Sequence, residues 1–182
     1  KPHYRKGYTL MTKQQEEIKT IAPRNITVNL SDADCLRLAA LAGRCNTTVS
    51  NIIEEFIGNL VNGTYSSGSD ERSLAQQYFE RTGTSWMYDE TFITWALDNF
   101  YDTEDFASMI YDLKCCYDTI NDPNSSEDDI SYSKSDLGVV LPVFKEEYYN
   151  PYKEAVKDAV SLEKATEQAI AWYNQYNNLL GE

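Results

Sequence analysis

The chain contains few side chains that could combine into a catalytic group. Its single histidine is His3, so the rest of the sequence has no imidazole to activate a serine or cysteine nucleophile. Two carboxylate pairs, Asp102 with Glu104 and Glu146 with Glu147, have the spacing for acid–base chemistry. With 29 Asp or Glu in 182 residues, we interpret both pairs as solvated surface. No glycine-rich phosphate loop and no set of metal ligands is visible. We therefore expect a binding protein with no catalytic residues, no metal and no cofactor.

The four cysteines form neither a redox motif nor a disulfide framework. Cys35 and Cys45 fall on the predicted apolar stripe of a helix, where a thiol behaves as a small hydrophobic side chain. Cys115 and Cys116 are adjacent, and neighbouring cysteines rarely bridge each other. No signal peptide and no apolar run of membrane-spanning length is visible. We expect a reduced, cytoplasmic protein that does not enter a membrane.

The net charge of −13 is distributed unevenly along the sequence. Residues 1–30 hold six Lys or Arg against two Asp or Glu, and residues 31–63 hold two against four. Residues 64–182 hold eight against twenty-three. The basic front is suited to contact with nucleic acid, whereas the acidic back would be repelled by it.

The stretch from Arg24 to Gly63 carries the clearest secondary-structure pattern. It opens with Ile26, Val28 and Leu30 alternating with polar residues, which is the pattern of a strand with one buried face. Two amphipathic helices are predicted to follow. One strand with two short helices leaves the strand's backbone groups unpaired, so we expect a second copy of the chain to complete the structure.

The boundaries of the two helices are predicted from their caps. The first begins at a capping box formed by Ser31 and Asp34 and ends where Asn46 adopts a left-handed conformation. The second is capped by Thr47 or Thr48 and ends at Asn62-Gly63. Its apolar stripe consists of Val49, Ile52, Ile53, Phe56, Ile57, Leu60 and Val61.

Residues 24–63 resemble the ribbon-helix-helix family of DNA-binding proteins. The resemblance implies an obligate homodimer whose two strands form a ribbon in the major groove of double-stranded DNA. Outward-facing residues of the ribbon would contact base edges, Arg24 would add affinity for phosphates, and the start of the second helix would hold a backbone phosphate. The base contacts would come from Asn25, Thr27 and Asn29, and the phosphate site from Thr47, Thr48 and Ser50. The alternative is that this module serves only for dimerisation.

The module is predicted to lie between a basic arm and an acidic domain. Residues 1–23 are expected to be a flexible basic arm, of which the first ten, preceding Met11, are either an artificial addition or an upstream extension. Residues 64–182 are expected to form an acidic, aromatic-rich helical domain. The predicted fold class is therefore mainly α, with a dimerising ribbon-helix-helix module of one short strand and two helices followed by an acidic helical domain.

Four helices are predicted in the acidic domain, at about 70–81, 90–100, 103–120 and 151–178. The first of them is expected to be capped by Ser69. Residues 121–136 are expected to form a polar loop, and Val139–Leu141 a short strand or a buried loop.

Three functions fit such a binding protein. In the first, the dimer is a transcriptional repressor of a phage or integrative element, and its ribbon recognises an operator. Alternatively, the chain is a protein inhibitor whose acidic surface occupies a channel that normally holds nucleic acid. The third interpretation is a structural dimer with no particular ligand.

Resemblance favours the inhibitor. The helix end LVNGTYSSGSDER and the acidic helical tail resemble accessory proteins of Firmicutes phages and integrative elements. As a whole the chain is similar to an anti-CRISPR protein of gut bacteria that inhibits the type II-A nuclease Cas9. That resemblance implies binding to Cas9 or its guide-RNA complex in the bacterial cytoplasm, and blocked cleavage of target DNA. We expect the contact at acidic residues of the predicted helix 103–120, namely Glu104, Asp105 and Asp112.

Overall fold

The computed structural model describes residues 16–82, 91–100 and 102–181. Most of these residues are helical and none of them forms a β-strand, so the predicted mainly α fold class is confirmed. A π-helical turn, Lys145–Tyr149, joins the sixth α-helix to the seventh. In chain order the α-helices are α1 (Asp32–Arg44), α2 (Val49–Leu60), α3 (Ser69–Arg81), α4 (Phe92–Asn99), α5 (Thr103–Asn121), α6 (Glu127–Phe144), α7 (Asn150–Ala155) and α8 (Leu162–Leu180).

The chain divides into two compact units, Lys1–Tyr88 and Asp89–Glu182, which we call unit 1 and unit 2. Unit 1 contains α1 to α3, and unit 2 contains α4 to α8. Helix α3 therefore groups with the two helices of the predicted ribbon-helix-helix module. Of the predicted basic arm, residues 1–15 lie outside the described residues, and residues 16–19 are helical.

The segment that was predicted to be a ribbon strand leads into α1. Residues 21–31 form neither helix nor strand, and the apolar side chains of Ile26, Val28 and Leu30 are all exposed. A ribbon strand takes its hydrogen bonds from the matching strand of a second chain, which a single copy lacks. The strand and the ribbon-helix-helix arrangement therefore stay predictions about the dimer.

The helix boundaries in unit 1 follow the predicted caps. Ser31 caps α1, because its Oγ accepts the Asp34 N–H at 3.1 Å and donates to the Asp34 carboxylate at 2.7 Å. Asn46 then adopts the predicted left-handed conformation, with φ of 50°. Thr48 caps α2 by accepting the Asn51 N–H at 3.1 Å. These three boundaries confirm the sequence prediction.

The loop after α2 packs on one side of that helix. Asn59 is buried and its side-chain oxygen accepts the Ser67 N–H at 2.8 Å, while the Ser67 hydroxyl donates to Glu55 at 2.9 Å. Tyr65 approaches Gly58 so closely that a Cβ at Gly58 would lie 2.9 Å from the Tyr65 carbonyl carbon. The loop thus covers the side of α2 that carries Glu55, Gly58 and Asn59, next to its predicted apolar stripe.

Unit 1 has little core of its own. Within its described residues, the buried positions are Ala42, Gly58, Asn59 and Ala75, none of which has a large apolar side chain. Helix α3 begins at Ser69 after Gly68, without the side-chain cap that was predicted there.

The predicted loop at 121–136 is wrong beyond its first few residues, because α6 begins at Glu127. Ser126 caps this helix: its Oγ accepts the Asp129 N–H at 3.1 Å and donates to the Asp129 carboxylate at 2.6 Å. Three acidic residues in the first turn also favour the helix through its dipole. Val139–Leu141 lies inside α6, so the predicted short strand or buried loop is also wrong.

The predicted last helix is in fact two helices, α7 and α8, separated by residues 156–161. The Tyr149 hydroxyl donates to the Val160 carbonyl at 2.9 Å, and the Val160 N–H donates to the Tyr152 hydroxyl at 3.2 Å. These bonds fix the connection, and Ser161 caps α8 by accepting the Lys164 N–H at 3.3 Å.

Unit 2 has an aromatic core to which all five of its helices contribute. The Phe92 ring lies at the centre, with centroid distances of 5.6 Å to Phe144 and 5.3 Å to Tyr152. The largest fully buried side chains are Tyr152, Phe92, Phe106, Phe144, Ile110 and Leu113. From α8, Thr166, Ala169 and Tyr173 are buried.

Among the described residues, no helix combines the length and apolar character needed to span a lipid bilayer.

Two glycines in unit 1 give a matched test of this packing. Gly58→Ala forces Tyr65 and its backbone to move, and we expect it to lower the free energy of unfolding by about 1–3 kcal/mol. Gly43→Ala is the control, because a Cβ at Gly43 meets nothing within 4 Å and helical alanine is favoured over glycine by about 0.5–1 kcal/mol. Urea unfolding at one protein concentration, followed by circular dichroism, measures both. A Gly58→Ala variant as stable as Gly43→Ala would contradict the close approach.

Candidate functional site

The residues predicted to contact DNA bases lie on one exposed segment ahead of α1. Asn25, Thr27 and Asn29 are exposed and alternate along the chain. Arg24 is also exposed, and its Nη2 donates to the Thr20 carbonyl at 3.2 Å. The structure therefore leaves all three polar side chains accessible, and it holds the Arg24 guanidinium beside the preceding turn of chain.

The residues of the predicted phosphate site are gathered at the N-terminus of α2. The Thr48 hydroxyl accepts the Asn51 N–H, and the Thr47 hydroxyl accepts a hydrogen bond from the Asn51 side-chain amide at 3.3 Å. The backbone N–H groups that precede Asn51 have no carbonyl within the helix to bind. The first turn of α2 carries no acidic side chain. These amides therefore form the kind of helix end that accepts an anion.

The N-terminus of α1 has the opposite electrostatic character. Asp32 and Asp34 lie in its first turn, and Arg37 Nη1 lies 2.9 Å from the Asp34 carboxylate. The hydrogen bond from the Ser31 hydroxyl, followed by that from Arg37, holds the pKa of Asp34 below its usual value. Negative charge at this helix end repels a phosphate, so of these two helix ends α2 is the one suited to an anion.

The predicted partner-binding residues lie on the exposed surface of α5. Glu104 and Asp105 are in its first turn, where their N–H groups donate to Asp102 Oδ1 at 3.0 and 3.1 Å. Asp102 is therefore a helix cap. Asp112 lies seven residues after Asp105, on nearly the same side of the helix and about 10 Å along its axis. Glu104 points roughly 100° away from Asp105 around the axis.

Tyr148 joins this acidic surface and was missed by the sequence analysis. Its half-buried ring packs on Phe100 and Phe106, with centroid distances of 4.7 and 5.2 Å. Burial, followed by the nearby carboxylates of Glu147 and Asp105, raises the pKa of the Tyr148 hydroxyl. The signal was absent from the sequence because tertiary packing alone brings Tyr148 to α5. A ring beside carboxylates is suited to contact Lys or Arg side chains.

The negative charge of unit 2 is largely uncompensated. Residues 89–182 carry twenty Asp or Glu against six Lys or Arg. In the described part of this unit one ion pair is formed, between Lys114 and Asp118. Most of the carboxylates are therefore solvated and contribute to a negative field around the unit.

Neither a metal set nor a disulfide is found where the structure describes the chain. In residues 16–82, 91–100 and 102–181, no three His, Cys, Asp or Glu side chains lie together as metal ligands would. The four cysteines are unpaired, and Cys35 and Cys45 are exposed in the single chain. Burial raises the pKa of the Cys116 thiol, which favours its unreactive protonated form. His3 lies outside the described residues.

Comparison with protein-family models, with curated proteins and with solved structures finds no match for this chain.

The cap of α2 yields a direct prediction. Thr48→Ala removes the acceptor of the Asn51 N–H and should lower the free energy of unfolding by about 0.5–2 kcal/mol. Thr48→Ser keeps a hydroxyl at that position and should stay close to wild type. The urea midpoint of each variant at one protein concentration checks this, and an Ala variant as stable as the Ser variant would show that the cap contributes nothing.

Proposed function

We propose that this chain is a non-enzymatic phage or mobile-element protein that inhibits a type II-A Cas9 by binding the nuclease or its guide-RNA complex. The observation that carries the proposal is the uncompensated negative charge of unit 2. A channel built for nucleic acid is positively charged, so a folded negative surface is complementary to it. The resemblance to an anti-CRISPR protein supplies the identity of the nuclease. Inhibition would occur in the bacterial cytoplasm and would need no chemistry by this chain.

The contact surface that we propose is the exposed side of α5 with Tyr148. Glu104, Asp105 and Asp112 would meet Lys and Arg side chains that otherwise hold the phosphates of a nucleic acid. Negative charge spread over the unit would also speed the encounter, because steering by opposite charge raises association rates by about 10 to 10³-fold. Occupying the channel would then exclude the target DNA.

We further propose that the chain acts as a homodimer through residues 25–61. The support is the incompletely covered apolar side of α2, where Ile53 is 40% exposed and Phe56 is 44% exposed. The chain's own loop packs on this helix beside the stripe, at Gly58 and Asn59. A second copy that covers the apolar stripe of α2 would supply the core that unit 1 lacks. Each large side chain that becomes fully buried would contribute roughly 1.5–3 kcal/mol.

A second candidate function, a ribbon-helix-helix repressor, is favoured by the helix end of α2. Its amides are open to an anion and its first turn has no carboxylate, while Asn25, Thr27 and Asn29 are accessible. In this proposal the dimer would bind an operator in double-stranded DNA, with base contacts from the ribbon and phosphate contacts from Thr47, Thr48 and Ser50. The same dimer is compatible with both functions.

In the proposed dimer, a charged side chain at position 53 should prevent the two copies from associating. Ile53→Asp places a charge on the apolar stripe of α2, where burial without a partner is costly, and we expect the variant to be monomeric at low micromolar concentration. Sedimentation velocity or light scattering measures the mass. Asn51→Asp is the matched control, because it adds the same charge to the first turn of the same helix, where the dipole tolerates it. An Ile53→Asp protein that remains dimeric would show that residues 25–61 do not hold the dimer.

If the chain is such an inhibitor, inhibition of Cas9 should depend more on the acidic residues of α5 than on the total charge of the chain. Reversing Glu104, Asp105 and Asp112 to Lys should slow binding to a type II-A Cas9 by about tenfold or more and abolish the block on DNA cleavage. Binding kinetics and a target-cleavage assay with titrated protein measure the two effects. The control reverses three other exposed acids of unit 2, Glu127, Asp128 and Glu163, which changes the net charge by the same amount.

The outcomes separate the two candidate functions. Equal loss of inhibition in both triple variants would mean that the overall field acts rather than the α5 surface. Uninhibited cleavage at a large excess of wild-type protein, across several type II-A nucleases, would remove the inhibitor proposal. Alanine substitution of Asn25, Thr27 and Asn29 tests the repressor, since loss of preference among duplexes at about 1–3 kcal/mol per good base contact is expected only of a ribbon that binds DNA.

A further inference from the structure

A groove in unit 2 lies between α6 and the start of α8. It has a volume of about 470 Å³, within the roughly 300–1,000 Å³ that is typical of sites for small molecules. Its apolar lining consists of Leu137, Leu141, Pro142 and Leu162. Small-molecule sites are usually lined in this way, with a few polar groups that orient the ligand.

Two residues that weaken the interior of a helix stand four apart in α6, and both line this groove. Pro142 has no backbone N–H to donate within the helix, and Gly138 is a poor helix former. Packing does not explain Gly138, because a Cβ at this position would meet nothing within 4 Å. The glycine instead keeps the groove open, since a larger side chain at position 138 would occupy it.

The charged residues of the lining differ from the rest of the unit. Two lysines, Lys134 and Lys145, line the groove with one acid, Glu146, whereas residues 89–182 carry twenty acids against six bases. Both lysines are exposed, and neither forms an ion pair with another described residue. They lie on nearly the same side of α6, about 16 Å apart along its axis. The groove therefore offers positive charge beside an apolar surface.

The π-helical turn holds the two walls of the groove together. Lys145 and Glu146 are the first residues of this turn, and π-helical turns are frequently found at functional sites. The hydroxyl of Tyr149, the last residue of the turn, donates to the Val160 carbonyl at 2.9 Å. This bond fixes the segment that leads into Leu162, so the groove is already formed without a ligand.

We propose that this groove binds a small amphipathic carboxylate, such as a medium-chain fatty acid. Its alkyl chain would lie against the apolar lining, and its carboxylate would accept a charge-assisted hydrogen bond from Lys134. Lys134 is assigned because Glu146 adjoins Lys145 and repels an anion at that end. Residues three and four positions from Lys134 on α6 include no acid. The inference depends neither on the proposed dimer nor on the proposed inhibition.

The experiment compares two probes that have alkyl chains of the same length and opposite charges, decanoate and decyltrimethylammonium. The net charge of −13 attracts the cation, so a preference for decanoate requires a local positive site. Each probe is titrated into the full chain below its micelle concentration, and NMR of the backbone amides locates the binding. We expect decanoate to shift the amide signals of Gly138, Leu141 and Leu162, and to bind more tightly than the cation.

Three variants test the assigned roles. Lys134→Gln should weaken decanoate binding by about tenfold or more, the loss expected for one charge-assisted hydrogen bond. Lys153→Gln is the control, because it removes the same charge from an exposed residue outside the groove and should leave the affinity unchanged. Gly138→Leu fills the groove and should abolish the binding of decanoate. Leucine is a good helix former, and circular dichroism checks that this variant stays folded.

The outcomes decide both parts of the proposal. Binding that is lost in Gly138→Leu, and weakened in Lys134→Gln but not in Lys153→Gln, supports it. Unchanged binding in a folded Gly138→Leu variant, shifts confined to unit 1, or no shift with decanoate would overturn the groove as a site. Tighter binding of the cation, or equal loss in Lys134→Gln and Lys153→Gln, would overturn the assignment of a carboxylate to Lys134.

Discussion

The structure of unit 1 depends on which side of α2 the chain covers by itself. Polar contacts from Ser67 to Asn59 and Glu55, and the close approach of Tyr65 to Gly58, fasten the loop to one side of the helix. The apolar stripe beside it is only partly covered, with Ile53 and Phe56 each more than a third exposed. Hydrogen bonds of this kind fix geometry but contribute only about 0.5–1.5 kcal/mol each, which does not replace a hydrophobic core. In the dimer that we propose, the stability of unit 1 would therefore depend on protein concentration.

Unit 2 buries its large apolar side chains within a single chain. Phe92, Phe106 and Phe144 are fully buried, and the connection between α7 and α8 is held by the Tyr149 and Tyr152 hydroxyls. Since this core needs no partner, the surface of the unit is free to carry charge. Exposed, solvated carboxylates cost little in stability, so a large excess of acidic over basic residues is compatible with a well-packed unit.

The features that were predicted correctly are those decided by neighbours in sequence. The caps at Ser31, Asn46 and Thr48 depend on about four residues each, and the predicted bounds of α5 were nearly right for the same reason. The Ser126–Asp129 cap is equally local, but it was hidden in a polar run that was interpreted as a loop.

The features that were missed depend on distant residues or on a second chain. Val160 interrupts the last helix because Tyr149 and Tyr152 bind its backbone, and Tyr148 reaches α5 only through packing. A ribbon strand takes its hydrogen bonds from another copy. For the candidate site, the role of the predicted residues stays a prediction.

In our proposals, the net charge of the chain acts differently on the two candidate partners. The net negative charge of the chain would repel DNA over a distance set by salt, about 8 Å at physiological ionic strength and about 30 Å at 0.01 M salt. Low salt normally strengthens DNA binding, but here it would also lengthen the reach of that repulsion. A basic protein channel feels attraction from the same field under the same conditions. The charge that would oppose operator binding would thus assist binding to a nuclease, and this asymmetry is why we propose the inhibitor ahead of the repressor.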